Sequence, residues 1–361
     1  MSKLFQPIKI RGEEIKNRSW VSPMCQYSCE DGLANNWHMV HLGSRAVGGS
    51  GLVMTEAAAV VPEGRISPWD LGIWKDEQIK PLKEITKFIK EQNSTPAIQI
   101  AHAGRKASTK RPWDGRGKLT KKDGGWIPKG PSSIPFDNES QTPTELSSEE
   151  IQNIIKSFVK AAERSIEAGF RCIELHMAHG YLAHEFFSPI SNKRDDYYGG
   201  NIENRTIFGV EIAKKVRETI GNEIPLFVRI SVTEYHKDGW GIDSSIALSK
   251  MLKDAGVDLI DCSSGGNYSE QSIKLGPGYQ VPLSKAIKSN AKILTGTVGL
   301  ITEEKHAEEI LQNQEADAIF LGRELLRNPY WSLYSQNEIK AWPVQYQRSF
   351  ENIDKIKYIR G

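Results

Sequence analysis

The feature that most constrains this chain is a repeated alternation. Short, continuous apolar runs are separated by longer stretches in which apolar residues recur at helical spacing. Eight runs read as strands, at 19–24, 51–56, 95–102, 171–176, 225–231, 258–263, 292–296 and 316–321. Most are apolar throughout rather than alternating in and out. Parallel strands covered on both faces have that pattern.

The intervening helices carry their own signals. Ser147-Ser148-Glu149-Glu150 forms a capping box, with Ser147 bonding back to the Glu150 amide. Ile151, Ile154, Ile155, Phe158, Val159, Ala162 and Ile166 follow on one face, and Gly169 stops the helix. Ile79, Leu82, Ile85, Phe88 and Ile89 repeat the logic. So do Ile246, Leu248, Met251 and Leu252 after Asp243, with a stop at Gly256, and Ala307, Ile310 and Leu311 after Thr302. Repeated βα units over 361 residues close best as a single α/β domain, a (β/α)8 TIM barrel spanning 1–361. An open doubly wound sheet is the alternative. It would place a glycine-rich fingerprint after an early strand, and neither G-x-G-x-x-G nor G-x-x-x-x-G-K-[ST] occurs.

Three segments stand outside the rhythm. Residues 1–18 contain an N-terminal β-hairpin, placed as a cover over the barrel's bottom. Residues 106–145 are long, polar and rich in Gly, Pro and Trp. They follow strand three, so they hang over the C-terminal, active-site face. Trp113 and Trp126 favour a packed lid there over disorder. Residues 337–361 form a C-terminal arm.

Charge and composition exclude several classes. Lys+Arg 47 against Asp+Glu 45 leaves +2, which argues against a nucleic-acid partner read by an extended basic face. No apolar stretch is long enough to span a bilayer, so no membrane partner is expected. The first residues lack a secretory pattern, and four cysteines (25, 29, 172 and 262) are too few for a disulfide scaffold. Both point to a reduced, cytoplasmic setting.

The chemistry gathers at strand ends. Strand seven runs into Thr295-Gly296-Thr297-Val298-Gly299 and strand eight into Gly322-Arg323. Barrels bind phosphate here with glycine-freed amides and a fixed cation; tight turns and a surface ion pair are the bland alternative. Strand four ends in His176-Met177-Ala178-His179-Gly180-Tyr181. Two histidines and a phenol can stabilise an oxyanion and deliver a proton. A zinc site built on His176 and His179 is the rival, with His184 and Glu185 nearby, as in a TIM-barrel metallohydrolase. A pair of core histidines is the third reading. Arg229 lies in an apolar strand and needs an anionic partner, either Glu174, Asp261 or a bound group. Gln99, also in a strand, can donate and accept at once, to a heterocycle edge or equally to backbone. Cys25 ends strand one; a free Cys is usually a small buried hydrophobe, and its place at a strand's C-terminal end favours a functional role.

Together these residues resemble the Old Yellow Enzyme family of FMN-dependent ene-reductases, in its thermophilic-like YqjM/xenobiotic-reductase branch. The resemblance rests on Ser22-Pro23-Met24-Cys25-Gln26-Tyr27, the segment 98–106, His176–Tyr181, the segment 188–205, Phe227-Val228-Arg229, the segment 322–327 and the segment 343–348. It covers nearly the whole chain. It implies non-covalent FMN, with the ring on Ser22, Pro23, Met24 and Cys25 beside Ala57, and Gln99 on its pyrimidine edge. By the same resemblance Arg229 faces the flavin N1, which accounts for a buried guanidinium better than an internal salt bridge does. Gly299, Gly322 and Arg323 hold the phosphate, and Cys25 tunes the flavin.

The reaction implied is ping-pong. NADPH or NADH reduces the flavin. An activated alkene, an α,β-unsaturated carbonyl or nitro compound, then takes hydride from N5 at its β-carbon. His176 and His179 bind its oxygen and Tyr181 supplies the proton, with Tyr27 and Lys106 as substrate-side contacts. Arg348 resembles a residue reaching into a neighbouring subunit, so a homodimer or homotetramer is implied. Two features depart from the shortest members: the longer insertion at 109–133, which resembles the xenobiotic-reductase branch, and Asn201 where Ser is commoner. A non-catalytic flavin-binding barrel stays open as a second alternative to the metallohydrolase.

Overall fold

The computed structural model describes residues 2–115 and 117–350. Its centre is a closed barrel of eight parallel strands. They are β1 (Ser19–Val21), β2 (Leu52–Ala59), β3 (Thr95–Ala101), β4 (Cys172–Met177), β5 (Leu226–Ser231), β6 (Leu259–Ser263), β7 (Leu294–Thr297) and β8 (Ala318–Leu321). Each pairs in parallel with the next, and β8 pairs with β1, so the order is that of the chain. The open-sheet alternative is thereby set aside. All eight strands lie on the runs read from the sequence, displaced by a few residues at their ends.

The strands show why continuous apolar runs were needed. Outward residues such as Val21, Ile98, Ile173, Leu175, Val228 and Ile319 pack against the helices in one large core. Inward residues one step away pack in a second core at the barrel's bottom. Trp20 there stacks on Phe227 at 5.6 Å and meets the edge of Phe320 at 5.4 Å. Such side chains each stabilise the fold by about 1.5–3 kcal/mol when fully buried. The expected hairpin is present as Ile8–Ile10 paired antiparallel with Glu13–Ile15. Its Ile8, Ile10 and Ile15 join the bottom core and close it from water.

The helices follow their caps. The helix Ser148–Glu167 begins with the reciprocal Ser147/Glu150 box. Ile79–Glu91 and Ile242–Asp254 match the stretches read from periodicity. Glu304–Gln312 starts slightly later than expected, because Glu303 rather than Thr302 is its extended N-cap residue. Asn201, which had no reading in the sequence, caps Ile202–Ile220: its side chain accepts the Asn204 amide at 2.9 Å. An Asn is among the best caps, so its replacement of Ser needs no further cause.

The insertion is packed. Ser108 accepts the Leu119 amide through its carbonyl and the Trp126 amide through its hydroxyl, both at 2.8 Å. The Trp126 indole donates to the Glu63 carbonyl, and Trp113 meets the edge of Tyr27 at 5.8 Å. At the other end of the chain, Trp342 stacks on Tyr330 at 6.0 Å. Of the 337–361 arm, residues 351–361 lie outside the described residues.

Candidate active site

The site grows from the period of a strand. Inward positions recur every two residues, so each strand leaves the bottom core and climbs toward its C-terminal end. On β5 that step goes from Phe227 to Arg229 to Ser231, and on β4 from Cys172 to Glu174 to His176. On β6 it goes from Leu259 to Asp261 to Ser263, and on β3 from Ala97 to Gln99. A polar layer therefore lies directly above a dry aromatic one.

Within that layer Arg229 sits between His176 and Asp261 in strand register. Its Nη1 donates to Ser22 Oγ at 3.2 Å and its Nε lies 3.2 Å from Asp261 Oδ2. The expectation that a bound group, rather than an internal salt bridge, accounts for Arg229 is thus corrected in part. The ion pair exists because Asp261 is the adjacent inward residue, and Arg229 also lines the cavity described below. Gln99 Nε2 donates to Glu174 Oε1 at 2.7 Å. Glu174 Oε2 and Asp261 Oδ1 are buried without hydrogen-bond partners. Burial, with Asp261 nearby, pushes the Glu174 carboxyl from 4.5 up to about 8, and burial raises Asp261 as well. Carboxyls that resist ionising leave the guanidinium charge less than fully offset.

Above the layer a cavity of ≈ 300 Å³ runs from Arg229 and Ser263 to Gly299, Gly322 and Arg323 at the rim of β7 and β8. Met24 is part of its wall. Gly299 takes a φ of +134°, open to glycine and strained for other residues. Among the described residues the Gly299, Gly322 and Arg323 amides make no backbone hydrogen bond. A Cβ on Gly322 would touch only Met24 and Ser22, at 3.8 and 3.9 Å, so that glycine is not required by packing. Free amides and a guanidinium at one end, with a cation and amide donors at the other, suit a heterocycle carrying a phosphate. FMN is such a molecule, and these residues fit it.

The segment below Met24 is held from behind. The Gln26 amide donates to Glu56 Oε2 at 3.0 Å, and His38 Nε2 lies 3.1 Å from Glu56 Oε1. Ser22 is buried, whereas Pro23, Met24, Cys25 and Tyr27 are half-buried and accessible to a ligand. Burial, with Asp70 and Glu56 nearby, pushes the Cys25 thiol well up, so it is a neutral thiol. A register shift in β2 between Met54 and Ala57 sets Ala57 opposite Gln99.

At the end of β4 the three reactive side chains meet. The His176 ring lies edge-on to His179 at 5.1 Å and to Tyr181 at 4.9 Å. His179 and Gly180 both have positive φ, which turns the chain sharply enough to bring them together. His176 Nδ1 accepts the Ala178 amide at 3.2 Å, so its proton sits on Nε2. His179 Nε2 bonds Ser263 Oγ at 2.6 Å. Burial, with the Arg229 charge, lowers both histidines well below their ordinary value, and burial raises Tyr181. Two neutral imidazoles therefore stand beside a protonated phenol.

Lys106 Nζ donates to the His179 and Gly266 carbonyls, each at 2.9 Å, and lies 5.4 Å from the Tyr181 ring. It braces the histidine turn as well as approaching the reactive group. Arg348 is exposed and is not among the residues lining the cavity. The zinc ligands considered from sequence are committed elsewhere. His184 Nδ1 accepts the Gly180 amide and Glu185 Oε1 the Arg105 amide. Among the described residues no group of three or more His, Cys, Asp or Glu is placed to hold a metal ion.

Sequence reasoning missed Ser231, Ser263, Tyr279 and Gln280. Ser231 Oγ accepts the His179 amide, Ser263 engages its ring, and Tyr279 and Gln280 line the cavity. Counting two positions on from Arg229 and Asp261 would have found both serines. No local signal marks Tyr279 or Gln280, which reach the cavity only through the fold.

Comparison with known proteins agrees with this arrangement. Residues 3–341 match the model of the NADH:flavin oxidoreductase / NADH oxidase family. An NADPH dehydrogenase of Bacillus cytotoxicus is 50% identical over 96% of this chain and 97% of its own. One of Geobacillus sp. (strain WCH70) is 47% identical over 96% and 98%. Morphinone reductase shares the fold with a TM-score of 0.79 at 23% identity, covering 93% of this chain and 90% of that one. A 2-naphthoyl-CoA reductase does so with a TM-score of 0.84 at 24% identity, and there the chain spans about half (52%) of the longer protein. The chain belongs to the NADH:flavin oxidoreductase / NADH oxidase family, as an oxidoreductase that works with FMN and NAD(P)H.

Proposed function

We propose that the protein reduces the activated C=C bond of small α,β-unsaturated carbonyl or nitro compounds with NAD(P)H, in two half-reactions at one site. The observation that carries this reading is the neutral His176/His179 pair edge-on beside Tyr181. Bound FMN supplies the hydride acceptor of the first half-reaction and the hydride donor of the second. Ser22, Pro23, Met24, Cys25, Ala57, Gln99 and Arg229 hold its ring, and Gly299, Gly322 and Arg323 its phosphate. The chain's own residues do the rest. His176 donates from Nε2, and His179 from Nδ1, which has no partner among the described residues. Both bonds fall on the carbonyl or nitro oxygen and draw electron density from the β-carbon. Tyr181 keeps its proton in this buried setting until a basic α-carbon forms, and then gives it up. Tyr27 bounds the substrate side, and Lys106 holds the histidine turn.

The test is an anaerobic absorption spectrum with NADPH and then 2-cyclohexenone added. Bleaching of the flavin band by NADPH and its return with the enone is the expected result. Bleaching without return would leave a flavin reductase with another oxidant. No bleaching would leave a flavin-binding barrel without this catalysis.

The C-terminal arm is part of the proposal. Arg348 is exposed on a segment anchored by Trp342, a position suited to completing a neighbour's site in a homodimer or homotetramer. Ending the chain before Pro343 should lower activity and change the sedimentation coefficient; full activity in an unchanged oligomer would reject it. Four free cysteines, three of them buried, suit the reduced cytoplasm we assign it.

A further inference from the structure

The insertion over the active-site face has a charge unlike the rest of the chain. Residues 106–129 hold eight Lys or Arg against two Asp, in a protein whose total is +2. Much of this charge is uncompensated. Arg111 pairs with Asp114 and Lys129 with Glu150, but Lys110, Lys118, Lys121 and Lys122 are exposed and make no salt bridge among the described residues. The same segment carries a second surface groove of ≈ 300 Å³, apart from the barrel cavity. Lys118 and Lys121 stand on its rim, and Leu119, Trp126, Ile127 and Gln141 line it. The indole is fixed in place by its bond to the Glu63 carbonyl and by the Arg65 guanidinium 5.2 Å from its ring.

The groove is tied to the reaction site by short covalent and hydrogen-bonded links. Lys106 lies beside Tyr181, and Ser108, two residues on and so at most about 7 Å away, binds both Leu119 and Trp126. An aromatic wall with lysines on its rim suits a purine nucleotide bearing phosphate. One reactant of this enzyme has that chemistry at the end remote from its reacting ring.

We propose that the insertion groove binds the adenosine end of the reductant, with the base against Trp126 and Ile127 and the 2′-phosphate on Lys118 and Lys121, the exposed Lys122 following next in the chain, and so selects NADPH over NADH. This rests on the reading that NAD(P)H reduces flavin at the barrel mouth. None of these lysines is among the residues assigned to flavin or alkene.

Two measurements on the FMN-loaded protein test the proposal. The first follows anaerobic flavin reduction by NADPH and by NADH in Lys118→Gln/Lys121→Gln/Lys122→Gln. Half-saturation for NADPH should rise roughly tenfold, that for NADH less than twofold, with the limiting reduction rate unchanged. The variant should also lose much of the salt dependence of NADPH binding. The second is calorimetric titration with adenosine 2′,5′-bisphosphate, which carries no nicotinamide and reads the groove whether or not flavin is reduced. Binding to the unaltered protein that the triple variant loses supports the groove. Equal NADPH half-saturation in both proteins, or bisphosphate binding untouched by the substitutions, overturns it. Bisphosphate binding without flavin reduction would reject the redox reading and leave the groove standing.

Discussion

The barrel has two ends built from the same strands and opposite in character. At the bottom, Trp20, Phe227 and Phe320 stack in a dry core plugged by Ile8, Ile10 and Ile15. One inward step higher, Arg229, Glu174, Asp261 and Gln99 meet with several polar atoms unpaired. A buried polar atom without a partner costs about 1–3 kcal/mol. The bottom supplies stability, and the mouth consumes part of it to hold polar atoms without partners beneath the cavity that Arg229 lines. The two layers are only two residues apart on each strand. A fold can therefore carry reactive chemistry next to its most rigid packing without a separate scaffold.

That contrast can be broken experimentally. Phe227→Ala should cost about 3–5 kcal/mol in urea unfolding, because its aromatic neighbours cannot collapse into the space. The folded variant should still bind FMN and turn over within about twofold of the parent. A large loss of turnover at full FMN occupancy would mean the two layers are not separable. Tyr181→Phe should do the reverse. Alkene reduction should fall roughly a hundredfold while flavin reduction by NADPH and the unfolding midpoint hold. Stopped-flow measurement of each half-reaction decides it, and an unslowed alkene step would remove Tyr181 as the proton donor.

His176→Ala should weaken binding of a phenolic ligand, an enolate mimic, roughly tenfold by visible-absorption titration. The parent's affinity should not drop as pH falls through the ordinary histidine range, because both imidazoles are held neutral well below it. A drop near the ordinary histidine value would show that the pair titrates freely. The last test concerns the mouth's acid. The Glu174 carboxyl is raised from 4.5 to about 8, so the folded state binds its proton more tightly between those values. Stability of the FMN-free protein should therefore fall as pH rises from about 5 to 8. Glu174→Gln keeps an acceptor for Gln99, should change stability by about 1 kcal/mol, and should flatten that slope. An unaltered slope would place the proton elsewhere in the mouth.

Much of this was legible in one dimension. The eight strands, the Ser147 cap and the hairpin each rest on a local pattern of a few residues. His176, His179 and Tyr181 were legible because one turn carries all three, and Gly299, Gly322 and Arg323 because each follows a strand. Arg229 was legible only as a question. Its ion pair with Asp261 depends on which of two adjacent strands supplies the nearer inward carboxyl. Ser263 was invisible, since a serine at a strand end has many fates and its bond to His179 joins positions 84 apart.

The sequence by itself determined the kind of barrel, the places where its helices start and the residue types at its mouth, since periodicity and caps act over one or two turns of chain. Only the tertiary structure decided which inward residues share a layer and which nitrogen of each histidine is free. It alone decided that Trp126 and two lysines, Lys118 and Lys121, border one groove. Those relations are distances between segments far apart in the chain, set by barrel closure and by the packing of its two cores.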